Sequence, residues 1–349
     1  MPLQTLVELD RGNTLECQHF GAIAVVNRRG ELLAHAGDAH WLTFSRSTLK
    51  PFQALPFMQA GGPAHFGFGA EQIAMLCASH NGERQHVAQV QSMLEKAGLT
   101  YKALQCGCHA PLFIELGLDA GTPPYDERHH NCSGKHAGFL AYCVQHGLPQ
   151  DDYNHLEHPL QQAIRRDLAW AVELPQDSLK MGIDGCSAPN YALPLAHLAF
   201  AYARLASGLQ DSRFGPSYAR LGEAMTTWPE LVSGTARNDL AFMRAGRGDW
   251  ITKVGADGVQ AIASKSRGEA FAIKIVDGNK TALFAACIET LQQLGWLDEQ
   301  QKTELEPWRA ESLLNARGAQ VGRRRSVFKL VSALAKHKLP ALASTKGRL

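Results

Sequence analysis

The stretch "FSRSTLKPFQALP", Phe44 to Pro56, is where the chain changes character. Upstream, "LVEL", "CQHFGAIAVVN" and "ELLAHAG" lie between Gly and Asn turn signals and read as strands. Downstream, "AEQIAMLCAS" and "RQHVAQVQSMLEKAGL" space apolar residues three and four apart, the second closing on a glycine stop. Helical spacing continues through "SGKHAGFLAYCVQHG", "PLQQAIRRDLAWAV" and "LPLAHLAFAYARLAS". Strands return at "WITKVGADGVQAIA" and "EAFAIKIVDG", and the helix "KTALFAACIETLQQLGWL" follows. Strands at both ends with helices between them predict an α+β fold. One antiparallel sheet is built from the N- and C-terminal segments, and a central helical lobe packs against it. The spacing predicts one domain over residues 1–322. Its sheet lobe covers about 1–46 and 250–322, its helical lobe about 47–249, and a basic C-terminal tail follows over 323–349. Sites in such folds are expected in the cleft between lobes.

The chain has 349 residues, of which 45% are apolar and 19% charged, a globular composition with ample length for a core. A net charge of +2 gives no argument for nucleic acid or a membrane surface as partner. No apolar run approaches the roughly 20 residues of a membrane span. The start "MPLQTLVELD" lacks the basic and apolar regions of a signal peptide, so a cytoplasmic protein is expected. In that setting the 8 cysteines read as thiols or metal ligands rather than disulfides. From Arg317 onward the chain has Lys and Arg but no acid, which reads as a solvated or partly ordered tail, with an interaction arm as the other reading.

Ser47 and Lys50 stand three apart, where helical side chains share a face. The pair reads as a capped helix start or as a nucleophile with its base, and a lysine is a base only when neutral. Two further elements weigh toward chemistry. "CASHNGE" carries Ser79-His80-Asn81, a Ser-x-Asn element, and "TKVGADG" carries Lys253-Val254-Gly255, a Lys-x-Gly element. Ser-x-x-Lys, Ser-x-Asn and Lys-x-Gly, in that order, is the arrangement of penicillin-recognising serine hydrolases. It supplies a nucleophile, a base, a second hydroxyl and a second cation, which suits acyl transfer through a covalent ester.

A second constellation lies in "RHHNCSGKHAG" and "GIDGCSAP". Cys132 and Cys186 are soft ligands, and Lys135 and His136 follow Cys132 at helical spacing. Zinc accepts Cys and His readily, and a lysine amine only when deprotonated. Two buried structural cysteines are the other reading, and spacing alone favours it. "CGCHAP", with Cys106, Cys108 and His109, offers a competing soft cluster.

With these pieces in place the chain resembles a rhizobial-type L-asparaginase, of the asparaginase II family. The matching motifs are "FSRSTLKPFQ", "CASHNGE", "NCSGKHAGFL", "GIDGCSAPNYALPL", "SGTARNDL", "KVGADGV" and "AIKIVDG", in order over roughly Leu3 to Gly322. The resemblance implies a fold related to serine β-lactamases and glutaminases, usually dimeric. It implies hydrolysis of L-asparagine to L-aspartate and ammonia, with two Ser–Lys pairs on Ser47 with Lys50 and Ser79 with Lys253. It also implies a zinc ion (Zn2+) on Cys132, Lys135 and Cys186, completed by water, with His136 and Asp184 nearby. Arg46, His80, Asn81, Gly82, Glu83 and Gly255 flank the four Ser and Lys positions and are the substrate-binding candidates. A β-lactamase or penicillin-binding hydrolase, a glutaminase, and a binding module whose serines are caps are the competing readings.

Overall fold

The computed structural model describes residues 3–112, 114, 117–118, 123–333 and 338–339. Its strands are β1 Gln4–Arg11, β2 Thr14–Asn27, β3 Leu32–Ala36, β4 Leu42–Phe44, β5 Lys180–Ile183 and β6 Pro189–Pro194, then β7 Trp250–Gly255, β8 Val259–Ser264, β9 Glu269–Ile275, β10 Ser312–Leu314, β11 Gln320–Ser326 and β12 Val331–Ser332. The chain divides into two compact units. The first holds the described residues of Met1–Thr48, Pro194–Ser207 and Ala236–His337, and the second those of Leu49–Leu193, Gly208–Thr235 and Lys338–Leu349.

The first unit carries an antiparallel sheet in the order β10-β11-β1-β2-β9-β8-β7, with β3 beside β2 and β12 beside β3. N- and C-terminal segments interleave in it: Gly21 to Asn27 pair with Ile275 to Glu269, and Val7 to Arg11 with Ser326 to Gly322. The α+β expectation, with one antiparallel sheet drawn from both ends, is what the structure shows. Alternation sorts the side chains into two faces. Ile23, Val25, Ile262, Phe271 and Ile273 join one core with Leu283, Ala286, Cys287 and Ile288 of the helix Lys280–Gln293. Burying each large side chain contributes about 1.5–3 kcal/mol. The alternate positions are Ala22, Ala24, Ala261, Ala263, Ala270 and Ala272, all fully buried. Such short side chains let the almost wholly buried helix Leu195–Ser207 lie close on β2, β8 and β9. That helix therefore groups with the sheet, whereas its sequence position assigned it to the helical middle.

The C-terminal boundary also moves. Residues 323–326 are not tail but the end of β11, and Val331 and Ser332 pair with His35 and Ala34 of β3. Backbone pairing to β1 orders this arginine-rich segment, and Arg325 meets Asp10 at 2.7 Å across the register. Most of the rest of the expected tail, residues 334–337 and 340–349, lies outside the described residues.

The second unit is mainly helical, with Ala70–Leu76, Arg84–Lys96, Ser133–Gln145, Pro159–Val172 and Gly215–Thr227 as its longer helices. Glycines set one close approach: a Cβ on Gly134 would lie 2.5 Å from Met75 O, and one on Gly138 2.3 Å from Leu76 Cδ2. Their i, i+4 spacing thus presents a smooth stripe to the helix Ala70–Leu76, which fixes the start of Ser133–Gln145. β5 and β6 form a hairpin, Lys180 opposite Ala192 through Ile183 opposite Pro189. Among the described residues no helix is long and apolar enough to cross a membrane.

Candidate active site

Ser47 belongs to the first unit, in the tight helical turn Arg46–Leu49. The following helix, Lys50–Gln53, has Leu49 as its N-cap and no side-chain cap bond, so Ser47 is not the cap. The Thr48 hydroxyl donates to Ser45 O at 2.6 Å, and Ser47 is left partly exposed. Just before it, Arg46 has φ 49°, a left-handed backbone that a non-glycine residue adopts at a cost. Its guanidinium pairs with Asp257, in the turn between β7 and β8. Gly255 ends β7 against this segment: a Cβ there would lie 2.9 Å from Ser45 O and 3.4 Å from Ser47 N. Any larger residue at 255 would push the strand away from the serine's backbone.

Lys253 is fully buried on β7. Its ammonium donates to Val254 O at 2.9 Å and meets Asp239 Oδ2 at 3.4 Å. Asp239 comes from "SGTARNDL", and no spacing within the sequence singles it out. Its motif was visible, but the signal that marks it, donors converging from β7 and β8, is a product of the fold.

In the second unit Lys50 and Ser79 meet directly. Lys50 Nζ donates to Ser79 Oγ at 2.8 Å, to Asn131 O at 3.4 Å and to Ala78 O. Lys50 is 1% exposed and Ser79 3%. Ser79 is held from behind, its N–H donating to Val232 O at 2.8 Å. The turn after it is self-bonded. Gly82 N–H donates to His80 Nδ1 at 3.1 Å, so the ring's proton sits on Nε2, 2.9 Å from Ser133 Oγ. Burial, then His86 and Lys50, keep His80 neutral far below the usual imidazole range. Asn81 Nδ2 donates to Glu83 Oε1 at 2.9 Å and Thr235 O at 2.8 Å. Burial works against the Glu83 carboxylate, but hydrogen bonds from Asn81 and Thr235 N–H outweigh it and lower its pKa. Gly82, at φ 83°, has no room for a side chain: a Cβ would lie 2.8 Å from His129 O.

The same unit gathers the soft donors. Cys132 is the residue before the helix Ser133–Gln145, Lys135 lies in its first turn, and Cys186 sits in the turn between β5 and β6. Lys135 Nζ donates to Cys186 Sγ at 3.0 Å, and all three residues are buried. A hydrogen bond from Cys132, then Lys135 and His136, hold the Cys186 thiol far below its ordinary range against burial. Cys132 is pushed up correspondingly, by the same bond and by burial. Gln105 N–H donates to the Tyr153 hydroxyl, leaving that proton for His136 Nδ1 at 2.8 Å. His136 then carries its own proton on Nε2, which is buried without a hydrogen-bond partner and is coupled electrostatically to Cys186. It is thus a donor facing the thiolate rather than a free ligand. Among the described residues no group of three or more His, Cys, Asp or Glu is arranged to hold a metal ion. A zinc site here therefore needs the Lys135 amine beside the two sulfurs that zinc accepts, and that amine would first have to lose the proton that Cys186 and Cys132 hold on it. Asp184 adds its charge to Lys135. Of the competing cluster, Cys106 is buried and bonded to Glu127 O at 3.6 Å, its thiol pushed up to about 12 by burial first, while Cys108 is exposed.

A comparison with curated proteins gave no match. Among solved structures, a β-lactamase from Mycobacterium bovis is similar at 15% identity and a TM-score of 0.39, covering 78% of this chain and 94% of that one. The pattern of the L-asparaginase II family matches residues 7–326, from β1 to the end of β11, and the chain belongs to that family.

Proposed function

We propose that the protein hydrolyses L-asparagine to L-aspartate and ammonia by Ser–Lys chemistry. Membership in a family of amidohydrolases supports the reaction class. The observation that carries the mechanism is the buried hydrogen bond between Lys50 and Ser79. Ser47, partly exposed beside a strained residue, is the nucleophile. Its Oγ gives its proton to a neutral Lys50 and bonds to the side-chain amide carbon. The C–N bond breaks as a proton reaches the nitrogen through Ser79, with Lys253 as the second lysine, and ammonia leaves. Water, losing a proton to the same base, then cleaves the aspartyl ester and restores Ser47. Arg46, Gly255 and the turn His80 to Glu83 are the substrate-contacting candidates.

Cys132, Lys135 and Cys186 would hold zinc, which at such a site supplies a Lewis acid able to fix the charged end of an amino-acid substrate. A cytoplasmic homodimer, in a compartment that keeps cysteines reduced, is part of the same reading. Ammonia release from L-asparagine and L-glutamine, and ring opening of a β-lactam followed by absorbance, each substrate offered alone, test the assignment. Turnover of asparagine above the other two is the expected result. Preference for glutamine or opening of the β-lactam ring with asparagine untouched would overturn it.

A further inference from the structure

Two buried lysines are available to the proposed reaction, and Asp239 distinguishes them. Asp239 is the second residue of the helix Asn238–Ala245, where the aligned N–H groups favour an anion. Its Oδ1 accepts from Gln260 Nε2 at 2.9 Å and Thr252 Oγ1 at 3.1 Å. Its Oδ2 accepts from Val254 N–H at 2.9 Å and Lys253 Nζ at 3.4 Å. Asn238 Nδ2 adds a contact at 3.5 Å while donating to Gln260 Oε1 at 2.9 Å. The amide and amine groups among these neighbours all present N–H donors, and only the Thr252 hydroxyl, which also lies 3.4 Å from Asp239 O, could accept a hydrogen bond from a protonated carboxyl, so the surroundings favour the ionised form. A fully buried carboxylate in turn needs a counter-charge, because an uncompensated one is too costly to persist. Cys287, on the helix Lys280–Gln293, also faces Asp239. Burial, and then that negative charge, push its thiol well above the ordinary range, so it is neutral. Lys253 is the cation in contact.

We propose that Asp239 is a positioning residue that keeps Lys253 as a fixed ammonium aligned with β7, so that Lys253 acts as a cation and never as the general base. The inference rests on the Ser–Lys reading above and deepens it, since it leaves the base to Lys50. Binding Val254 N–H and Lys253 Nζ with one oxygen ties the side chain's direction to the strand's backbone.

The test uses the full-length protein labelled with lysine carrying carbon-13 at Cε, the Lys253 resonance being assigned by its loss in Lys253→Arg. In the wild type that resonance is expected to keep its ammonium shift past the ordinary lysine pKa of about 10.4. In Asp239→Asn its midpoint should fall by about 1 to 3 pH units, the usual effect of a neighbouring opposite charge. The alkaline limb of kcat/KM for asparagine should move down by a similar interval, with the acid limb in place. A wild-type midpoint below the ordinary value, a variant that moves the acid limb, or one that moves neither limb would overturn the proposal. If Asp239→Asn does not fold, the wild-type titration decides alone. The resonance needs no turnover, so a protein inactive on asparagine would remove the assigned function and still report the charge of Lys253.

Discussion

Lys50 and Lys253 are equally hidden from solvent, yet their polar neighbours differ in kind. Lys50 donates to a hydroxyl and to two backbone carbonyls, groups that accept a hydrogen bond without carrying charge. Lys253 has a buried carboxylate beside it, itself held by four further donors. A lysine among neutral acceptors can give up its proton at the cost of hydrogen bonds alone. One paired with a buried anion would also leave that anion bare. The difference teaches that burial alone does not make a lysine a base. What decides it is whether the proton can leave without stranding a charge.

The largest effect tests the Lys50 side. Ser47→Ala and Lys50→Ala should each lower kcat by about 10³-fold or more with an unchanged circular dichroism spectrum, since a nucleophile and its base fail as a unit. If Ser47→Ala kept more than about a tenth of kcat, far less than such a loss, Ser47 would be no nucleophile. Next comes a swap that keeps charge and removes basicity, because arginine stays protonated. Lys50→Arg should cost about 10²–10⁴-fold, the usual worth of a positioned base, and Lys253→Arg clearly less. Equal losses would erase the contrast. In the wild type the rate should rise from neutral into alkaline pH, as a neutral lysine base requires; an acidic optimum would break it.

Lys135 sharpens the comparison by offering a third setting, a thiolate. Burial disfavours its ammonium, but Cys186 and Cys132 outweigh that and raise its pKa. Zinc binding must displace this proton, so metal affinity should increase with pH and release protons into a weak buffer. Elemental analysis should find about one zinc per chain, as for a single four-ligand site, and Cys132→Ser should lose it. A metal-free wild type with full asparagine affinity would leave Lys135 and Cys186 as an ion pair only. The smallest effect concerns the Asp239 cluster. Thr252→Val removes one donor and should lower stability by about 0.5–1.5 kcal/mol in urea unfolding, with both pH limbs unmoved. A moved limb would give Thr252 a share in setting the charge.

How much of this was legible beforehand follows from where the information sits. β1 to β3 and β7 to β9 were readable because apolar runs and turn residues lie side by side in the chain. β11 was not: Arg323 to Arg325 read as a solvated run, and only the β1 backbone opposite makes a strand of them. The β5–β6 hairpin, with its turn at Cys186, has no strand signal of its own in the sequence beyond the glycines that flank it. The helix Leu195–Ser207 was legible as a helix but not as a partner of the sheet, whose alanine face appears only once the strands are in register. Ser47, Lys50, Ser79 and Lys253 stand out by spacing and resemblance. The partners of Lys50 come from segments around Ala78 and Asn131, which no local pattern links to it. Asp239 needed β7 and β8 in place before its donors could be seen to converge.

The pairing of β2 with β9 also has a consequence for synthesis. Residues 21–27 leave the ribosome early, and their partners, 269–275, leave late. At about 5–20 residues per second the first strands wait on the order of 10 to 50 s for them. During that interval the segment Gly21 to Val26, buried in the finished protein, has an open edge and an apolar run facing the cell. The residues 49–193 emerge meanwhile and are rich in short-range helical contacts, which form quickly. Maturation of this enzyme is therefore expected to proceed from the middle of the chain outward, with a chaperone guarding its first strands until the last ones arrive.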